Sequence, residues 1–267
     1  MTRNPFAACT ALRAPDGTLF QVLDAARFQP AFLTALGDFE HPTLPPGGAL
    51  LKQARQRFIA RAPAPGGSVV FKVFPLKNPI SRLKFRKYAC REFANLQTAQ
   101  ERGAPVPLPI AYFEKRRFGL VVACGLVMED LRGWQDLKQI AGLPGESALT
   151  AAHRASAVLA DLDRRGCLHV DARDENILVS PDGAHRVIDW QYASFHAPNA
   201  PWLLEHLAAY YIRKSDAADQ TGLNLDWLPK LALFAANPDG FLGRVAALLR
   251  EKPSTRARLA KRPARKT

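Results

Sequence analysis

The chain has 267 residues and a formal net charge of +13. Hydrophobic residues make up 48% of it and charged residues 23%, a balance that excludes an intrinsically disordered chain and predicts a folded one. The excess of positive charge favours anionic partners, such as nucleotides, phosphorylated glycans, acidic lipids or nucleic acid.

The cysteines and the apolar segments indicate where such a protein works. Four cysteines lie far apart with no C-x-x-C pair, which predicts reduced, mostly buried thiols. The first residues lack the apolar core of a signal peptide. The longest apolar run, Phe118 to Met128, is too short to span a bilayer and predicts buried strands. We therefore expect a cytoplasmic protein.

The first third of the chain predicts a short leading segment followed by strands. Residues 1–48 are interpreted as an N-terminal extension, with a turn at "APDG" and a short helical candidate from Asp24 to Leu36. The stretch "HPTLPPGG" then interrupts regular structure. From Ala49, "ALLKQARQRFIARA" predicts a hairpin and "GSVVFKVF" a strand.

Two long helices are predicted in the middle of the chain. One runs from Ile80 to Arg102 and ends at Gly103, and the other runs from Ser147 to Arg165 and ends at Gly166. Between them, "APVPLPIAYFEK" is extended because of its prolines, and the apolar run ends in "LVMEDL".

The last third begins with "HVDARDENILVSPDGAHRVIDW", which predicts a loop, a strand, a turn at "PDG" and a second strand. Residues 201–249 are predicted to be helical. Strands early and helices late predict an α+β fold of two lobes with a cleft between them. We assign residues 49–130 to a small N-terminal β-rich lobe, 131–249 to a larger helical C-terminal lobe, and 250–267 to a basic disordered tail.

Three polar residues in this last third have the spacing that phosphoryl transfer requires. A carboxylate must accept the proton of the attacking hydroxyl, and oxygen ligands must hold Mg²⁺ on the phosphates. The five-residue step from Asp171 to Asn176 lets a loop turn back, and the following hairpin brings Asp189 beside Asn176. Asp171 is then the candidate base, and Asn176 and Asp189 are candidate metal ligands. The alternative is that Asp171 and Asn176 cap a turn and Asp189 ends a strand.

"HVDARDEN" followed by "IDW" resembles the catalytic loop and metal-binding aspartate of the protein-kinase-like fold. The tryptophan after Asp189 resembles the small-molecule and lipopolysaccharide kinase branches more than the D-F-G of protein kinases. The resemblance implies that Lys72, in "VVFKVF", binds the phosphates of ATP and that Glu92 is its ion-pair partner. It also implies a hinge at "LVMEDL", where the backbone from Glu129 to Leu131 binds the adenine edge. The alternative for this segment is an ordinary strand end.

The helical pattern around Glu92 supports this assignment. Glu92 lies within a stripe of apolar residues on one face of the predicted helix: Phe85, Ala89, Leu96 and Ala99. A carboxylate on an inward face needs a partner, and so does Lys72 on an otherwise apolar strand. The alternative is that Glu92 lies at the edge of the stripe and reaches water.

Over about Leu50 to Tyr192 the chain is similar to the lipopolysaccharide core kinase family, which includes the heptose and Kdo kinases. The similarity implies transfer of the γ-phosphate of ATP, with Mg²⁺, to a sugar hydroxyl of the lipopolysaccharide core at the inner membrane.

The chain departs from the kinase pattern in several places. The first hairpin, "LLKQARQRF", has no glycine-rich loop, so its backbone with Lys52 or Arg55 would have to cover the phosphates. Val170 replaces the arginine of H-R-D. No A-P-E segment follows, which argues against switching by activation-loop phosphorylation and disfavours a protein substrate.

Basic residues are concentrated in two segments. The predicted helix from Ile80 carries Arg82, Lys84, Arg86, Lys87 and Arg91. The tail from Arg250 has eight Lys or Arg against one Glu. Such clusters can attach a protein peripherally to an anionic membrane or contact the phosphates of a core glycan. Solubility or unspecific attraction to nucleic acid is the alternative. No nucleic-acid-binding motif accompanies the charge, so no specific nucleic acid is expected.

Two further interpretations remain open on the sequence alone. The first is a kinase of the same fold that acts on a small molecule or a protein hydroxyl. The second is a catalytically inactive, kinase-like scaffold.

Overall fold

The computed structural model describes residues 4, 6–14, 16–28, 43–44, 46–54, 57–144, 148–215 and 227–251. The chain divides into two compact units. The first comprises Met1–Thr98 with Pro107–Asp130, and the second comprises Ala99–Val106 with Leu131–Thr267.

The first unit is built on a seven-stranded antiparallel sheet in the order β1-β2-β6-β7-β5-β4-β3. Its strands are β1 (Thr10–Arg13), β2 (Leu19–Val22), β3 (Ala49–Ala54), β4 (Arg57–Ala64), β5 (Gly67–Pro75), β6 (Pro109–Arg117) and β7 (Leu120–Glu129). The predicted hairpin forms β3 and β4, the predicted strand "GSVVFKVF" lies in β5, and the apolar run forms β7.

Two strands, β1 and β2, come from residues 1–48, which the sequence predicts to be an N-terminal extension. β1 and β2 form a hairpin whose second strand pairs with β6, with Leu19 opposite Glu114. The helical prediction from Asp24 to Leu36 is not met at its start. There, residues 25–27 form a turn because the Asp24 carboxylate accepts the N–H of Ala26. The rest of that prediction lies outside the described residues.

The sheet is buried on both faces along β5. Alternate side chains of a strand point to opposite faces. Val69, Phe71 and Val73 belong to one apolar cluster with residues of β2, β4 and β6. Lys72 and Phe74 therefore point the other way, where helix α1 (Pro79–Glu101) lies. The ring of Phe74 stacks on Phe85 of that helix at 6.0 Å.

Helix α1 begins where the predicted helix does, within one residue. Asn78 caps it: its side-chain oxygen accepts the N–H of Ser81 at 2.8 Å, and the Ser81 hydroxyl accepts the N–H of Asn78 at 3.0 Å. Pro79 occupies the first helical position, where its missing N–H costs nothing. The chain leaves the helix through Gly103, whose φ of 70° suits glycine.

The second unit consists mainly of helices with short strands. The helices are α2 (Leu137–Ala141), α3 (Ala148–Arg164), α4 (Leu203–Lys214), α5 (Leu228–Ala232) and α6 (Phe241–Arg250). The strands are β8 (Gln135–Asp136), β9 (Cys167–Leu168), β10 (Ile177–Val179), β11 (His185–Val187) and β12 (Ser194–Phe195). Helix α3 matches the second predicted long helix. The described part of 201–249 is largely helical, as predicted.

Candidate active site

Lys72 and Glu92 form a buried ion pair in the first unit. The Lys72 Nζ lies 2.9 Å from Oε1 and 2.8 Å from Oε2 of Glu92, and both side chains are almost fully buried. Strand β5 supplies the lysine on its helix-facing side, and the apolar stripe of α1 carries the carboxylate inward. The alternative that Glu92 reaches water is therefore wrong. A lysine fixed in this way presents a positive charge in a defined position.

The segment predicted to be a hinge is anchored at the end of β7. The Glu129 carboxylate accepts the N–H of Leu108 at 3.0 Å, and the Glu129 N–H donates to the Leu108 carbonyl at 2.9 Å. The next residue, Asp130, accepts hydrogen bonds from Arg61 of β4 and Ser68 of β5. These contacts fix the chain direction at Glu129 and occupy the Glu129 N–H.

In the second unit, Asp171 lies in the loop after β9 and is 1% exposed. One of its carboxylate oxygens accepts a hydrogen bond from the Lys214 Nζ at 2.9 Å, and the same amine donates to the Val170 carbonyl at 2.5 Å. Lys214 is the last residue of α4. A buried carboxylate that accepts a hydrogen bond from an ammonium group has a fixed orientation, which a general base requires.

Asn176 closes the same loop. Its amide nitrogen donates to the Asp171 carbonyl at 2.8 Å. Since a side-chain amide has one nitrogen and one oxygen, this bond turns Oδ1 away from the Asp171 backbone. The loop ends in a short 3₁₀ turn, Asp174–Asn176, so Asn176 is held by backbone as well as by its side chain.

The hairpin β10–β11 brings Asp189 towards Asn176, as predicted. Ile177 pairs with Val187, and the N–H of Ile188 donates to the Asn176 carbonyl at 2.9 Å. The second strand ends at Val187, two residues earlier than expected. Asp189 instead has a left-handed backbone with φ 68°. Left-handed aspartate is uncommon and turns the side chain out of the strand.

His169 is a structural residue of this loop. Its Nδ1 accepts the N–H of Asp171 at 3.3 Å, so the ring proton lies on Nε2. Complete burial lowers the pKa of His169 to about 4, although Asp171 and Asp189 act in the opposite direction. The neutral ring meets Trp190 edge to face at 4.8 Å, and the Trp190 indole N–H donates to the Val187 carbonyl. The tryptophan of "IDW" thus packs the loop against the hairpin.

Sequence reasoning predicted helix in this region but missed that the end of α4 supports the loop of Asp171. Tyr211, Lys214 and Ser215, at the end of α4, all contact it: the Tyr211 hydroxyl donates to Asp174, and Ser215 accepts the N–H of Asp174 at 3.3 Å. Burial raises the pKa of Tyr211, so its hydroxyl stays protonated and donates. Their spacing of three and four residues was the available signal, because it puts three polar groups on one face of an apolar helix.

The donor set fits Mg²⁺ in kind. The predicted ligands, Asn176 and Asp189, offer amide and carboxylate oxygens, which hard cations prefer. Within the described ranges there is no group of three or more His, Cys, Asp or Glu that could hold a metal ion. Arg55, proposed for covering the phosphates, lies outside the described residues, and Lys52 is exposed on β3.

Residues 79–225, more than half of the chain, match the model of the lipopolysaccharide kinase (Kdo/WaaP) family. The chain belongs to this family. The resemblance to the lipopolysaccharide core kinase family that the sequence predicted is thereby confirmed.

The curated relatives of this member of the lipopolysaccharide kinase family align with the chain over only part of their own length. The chain is 28% identical over 117 residues to a 3-deoxy-D-manno-octulosonic acid kinase of Xylella fastidiosa strain M12, which is 44% of this chain and 46% of that protein. It is 30% identical over 143 residues to the RIO-type serine/threonine-protein kinase Rio1 of Haloferax volcanii, 52% of this chain and 46% of that protein. The chain spans about half the length of these curated relatives.

A solved structure shares the fold. "WaaP in complex with acyl carrier protein" aligns with a TM-score of 0.54 and 16% identity, over 80% of this chain and 89% of that chain. The kinase-like α+β fold expected from the sequence is thereby confirmed. In the part of the chain that the structure describes, no helix has the length and hydropathy needed to cross a membrane.

Proposed function

We propose that this member of the lipopolysaccharide kinase family is an ATP- and Mg²⁺-dependent kinase that phosphorylates a sugar hydroxyl of the lipopolysaccharide core. The observation that carries the proposal is the buried Asp171 carboxylate, fixed at 2.9 Å by Lys214 in a loop that also orients Asn176. If Asp171 were only a structural residue, Lys214 would serve only to compensate its charge. Because Asp171 lies in the loop that resembles the catalytic loop of kinases, we propose that Lys214 also orients it as the base.

Asp171 is the proposed general base. It accepts the proton of the acceptor hydroxyl while that oxygen bonds to the γ-phosphorus and the bond to the β–γ bridging oxygen breaks. Lys214 keeps the carboxylate oriented towards the hydroxyl and balances its charge. His169, neutral because burial lowers its pKa to about 4, holds the Asp171 backbone and takes no proton.

The nucleotide would be held by residues that the family resemblance singles out. Lys72 is proposed to bind the α- and β-phosphates, and Glu92 fixes its position. The Glu129 N–H already donates to Leu108, so the proposed adenine donor is the Leu131 N–H. Asn176 and Asp189 would hold Mg²⁺, which neutralises charge on the β- and γ-phosphates when bound.

The acceptor is proposed from the family and from the Xylella relative, whose name specifies a 3-deoxy-D-manno-octulosonic acid kinase. The net charge of +13 supports an acidic sugar as the acceptor. We propose that this sugar is anchored in a membrane leaflet and reached from the cytoplasm. A protein hydroxyl is the second candidate, because the Haloferax relative is a serine/threonine-protein kinase.

Nucleotide binding tests the proposal against an inactive scaffold. The melting temperature of the full chain is measured with Mg²⁺ and millimolar ATP, with ATP alone, and with neither. We expect a rise that requires both and that Lys72→Met abolishes, because the phosphates lose their lysine. An unchanged melting temperature in the wild type would favour the scaffold. Labelled transfer to core glycan, small-molecule and protein acceptors then identifies the acceptor class.

A further inference from the structure

The turn between β6 and β7 exposes an aromatic ring that does not contribute to the core of the unit. Two residues, Phe118 and Gly119, connect the strands, and both have positive φ, 50° and 76°. Such two-residue turns favour Asn-Gly because few other residues adopt the left-handed backbone without strain. Phe118 nevertheless occupies this position, and it is 91% exposed. The packing of the unit gives no reason for an aromatic residue there.

The residues around Phe118 are basic or apolar. Arg116 and Arg117 precede it, the Arg117 guanidinium lies 5.4 Å from the centre of its ring, and Leu120 follows with 54% exposure. From Lys115 to Met128 the sequence contains no acidic residue. The turn therefore combines protruding apolar side chains with two exposed arginines, of which Arg116 also pairs with the buried Glu114 at 3.1 Å.

The start of helix α1 lies at the same end of the sheet. The Leu76 N–H donates to the Val122 carbonyl at 2.9 Å, so the residues that follow Leu76 run past the first residues of β7. Lys77 is exposed there, and Ile80 is 78% exposed. No acidic residue occurs between Phe74 and Arg91. We name this surface the basic–apolar tip: Lys77, Ile80, Arg116, Arg117, Phe118 and Leu120.

We propose that the basic–apolar tip inserts into the headgroup region of an anionic membrane. Large apolar side chains on a narrow protrusion can enter the lipid interface, whereas a protein partner requires a flatter and wider apolar area. Arginine and lysine beside them attract anionic headgroups. The tip lies at the opposite end of β7 from Glu129, ten residues or about 30 Å away, so its occupation leaves the hinge segment untouched.

The inference rests on the proposed function only for its biological setting, because lipid binding requires neither nucleotide nor acceptor. The full chain is sedimented with vesicles of phosphatidylcholine alone and with vesicles rich in phosphatidylglycerol. We expect binding to the anionic vesicles only. Phe118→Asn should lower the partition coefficient at least about tenfold, since one large apolar side chain is lost. Arg117→Gln should lower it about fivefold.

Phe118→Asn has a built-in folding control, because asparagine suits the left-handed turn and should keep or raise the melting temperature. Phe234→Ser is the matched surface control. It removes a ring that is 53% exposed elsewhere in the chain and should leave vesicle binding unchanged.

Three results would overturn the proposal. The first is wild-type affinity of Phe118→Asn for anionic vesicles, which would assign binding to the charged tail. The second is equal binding to both kinds of vesicle, or to neither. The third is Phe118-dependent retention on DNA without vesicle binding, which would indicate a nucleic-acid surface. Transfer to a soluble, deacylated glycan reports the kinase activity separately, and Phe118→Asn should leave it unchanged.

Discussion

At the scale of single residues, the Asp171 carboxylate depends on an amine that comes from 43 residues further along the chain. Lys214 bonds to the carboxylate and to the Val170 carbonyl, so it fixes both the side chain and the backbone of the loop. A base that loses its orientation loses rate without losing substrate affinity. This separates a positioning role from a role in binding.

We predict that Lys214→Met lowers kcat by up to about a hundredfold and leaves the KM for ATP within a few-fold, because the base is misoriented while the nucleotide contacts persist. Lys214→Arg should recover part of the loss. Lys230→Met, at an exposed position of α5, is the control and should be silent. Steady-state kinetics with the identified acceptor measure both constants. A selective rise in KM would assign Lys214 to phosphate binding instead.

The Lys72–Glu92 pair gives a prediction on stability as well as activity. Glu92→Leu leaves a buried ammonium without its carboxylate and should cost about 3–5 kcal/mol in urea unfolding. Lys72→Met with Glu92→Leu should recover most of that stability and none of the activity. Arg164→Gln breaks an exposed pair with Asp161 and should cost less than about 1 kcal/mol. An active double variant would exclude Lys72 from phosphate binding.

Asp163 should make the free energy of unfolding depend on pH. It is buried, its Oδ1 has no hydrogen-bond partner among the described residues, and burial together with Glu205 raises its pKa to about 7. The folded protein therefore holds a proton that the unfolded chain releases near its ordinary pKa of 3.8. The contribution of the protonated Asp163 to the free energy of unfolding is fully present below pH 3.8. It falls by about 1.4 kcal/mol per pH unit above that, until pH reaches about 7.

Asp163→Asn should remove this dependence. The stability advantage of the variant over the wild type should grow between about pH 4 and about pH 7 and stay constant above. Urea unfolding of both proteins at a series of pH values measures the difference, in which the other titrating groups cancel. An advantage that is the same at about pH 5 and about pH 8 would contradict the raised pKa.

At the scale of elements, β5 and β7 approach each other closely at Gly125. A Cβ there would lie 2.2 Å from the Lys72 carbonyl oxygen and 2.5 Å from the ring of Phe113. Gly125→Ala must therefore displace the β5 backbone, and we predict a loss of about 3 kcal/mol together with weaker ATP binding, since Lys72 moves with its strand. Thermal unfolding and nucleotide titration measure the two effects.

Gly243 is the matched control for this prediction. It lies within α6, and no atom of the described residues comes within 4 Å of the place that a Cβ would take. Gly243→Ala should therefore gain about 1 kcal/mol of helix stability and leave nucleotide binding unchanged. A Gly125→Ala variant as stable as this control would contradict the close approach of the two strands.

The helices and strands also differ in how well local sequence patterns predicted them. Apolar periodicity and terminal glycines located α1 and α3 within a residue or two, because these signals are local. The pairing of β2 with β6 joins residues that are almost a hundred positions apart, and no local pattern encodes it. Asp189 was expected to end a strand, but it has a left-handed backbone directly before Trp190, whose ring packs against His169.

At the scale of the whole molecule, the sequence predicted the kinase-like fold and the family, because the catalytic-loop residues and their order along the chain are specific. It also predicted the Lys72–Glu92 pair, because a buried charge is costly unless an opposite charge is paired with it. It did not predict Lys214, whose contact depends on how α4 folds back onto the loop. The exposed ring of Phe118 was likewise interpreted as part of a buried run, because periodicity does not distinguish the end of a strand from its turn.

We propose that Asp171 activates a sugar hydroxyl of the lipopolysaccharide core for attack on ATP. The experiment that tests this role is transfer of labelled γ-phosphate to core glycan extracted from a strain that lacks this protein, with wild-type and Asp171→Ala proteins side by side. We predict transfer by the wild type and a loss on the order of 10²–10⁴ in turnover for the variant. Equal turnover by the two proteins would contradict the role of Asp171, and no transfer by the wild type would contradict the proposed acceptor.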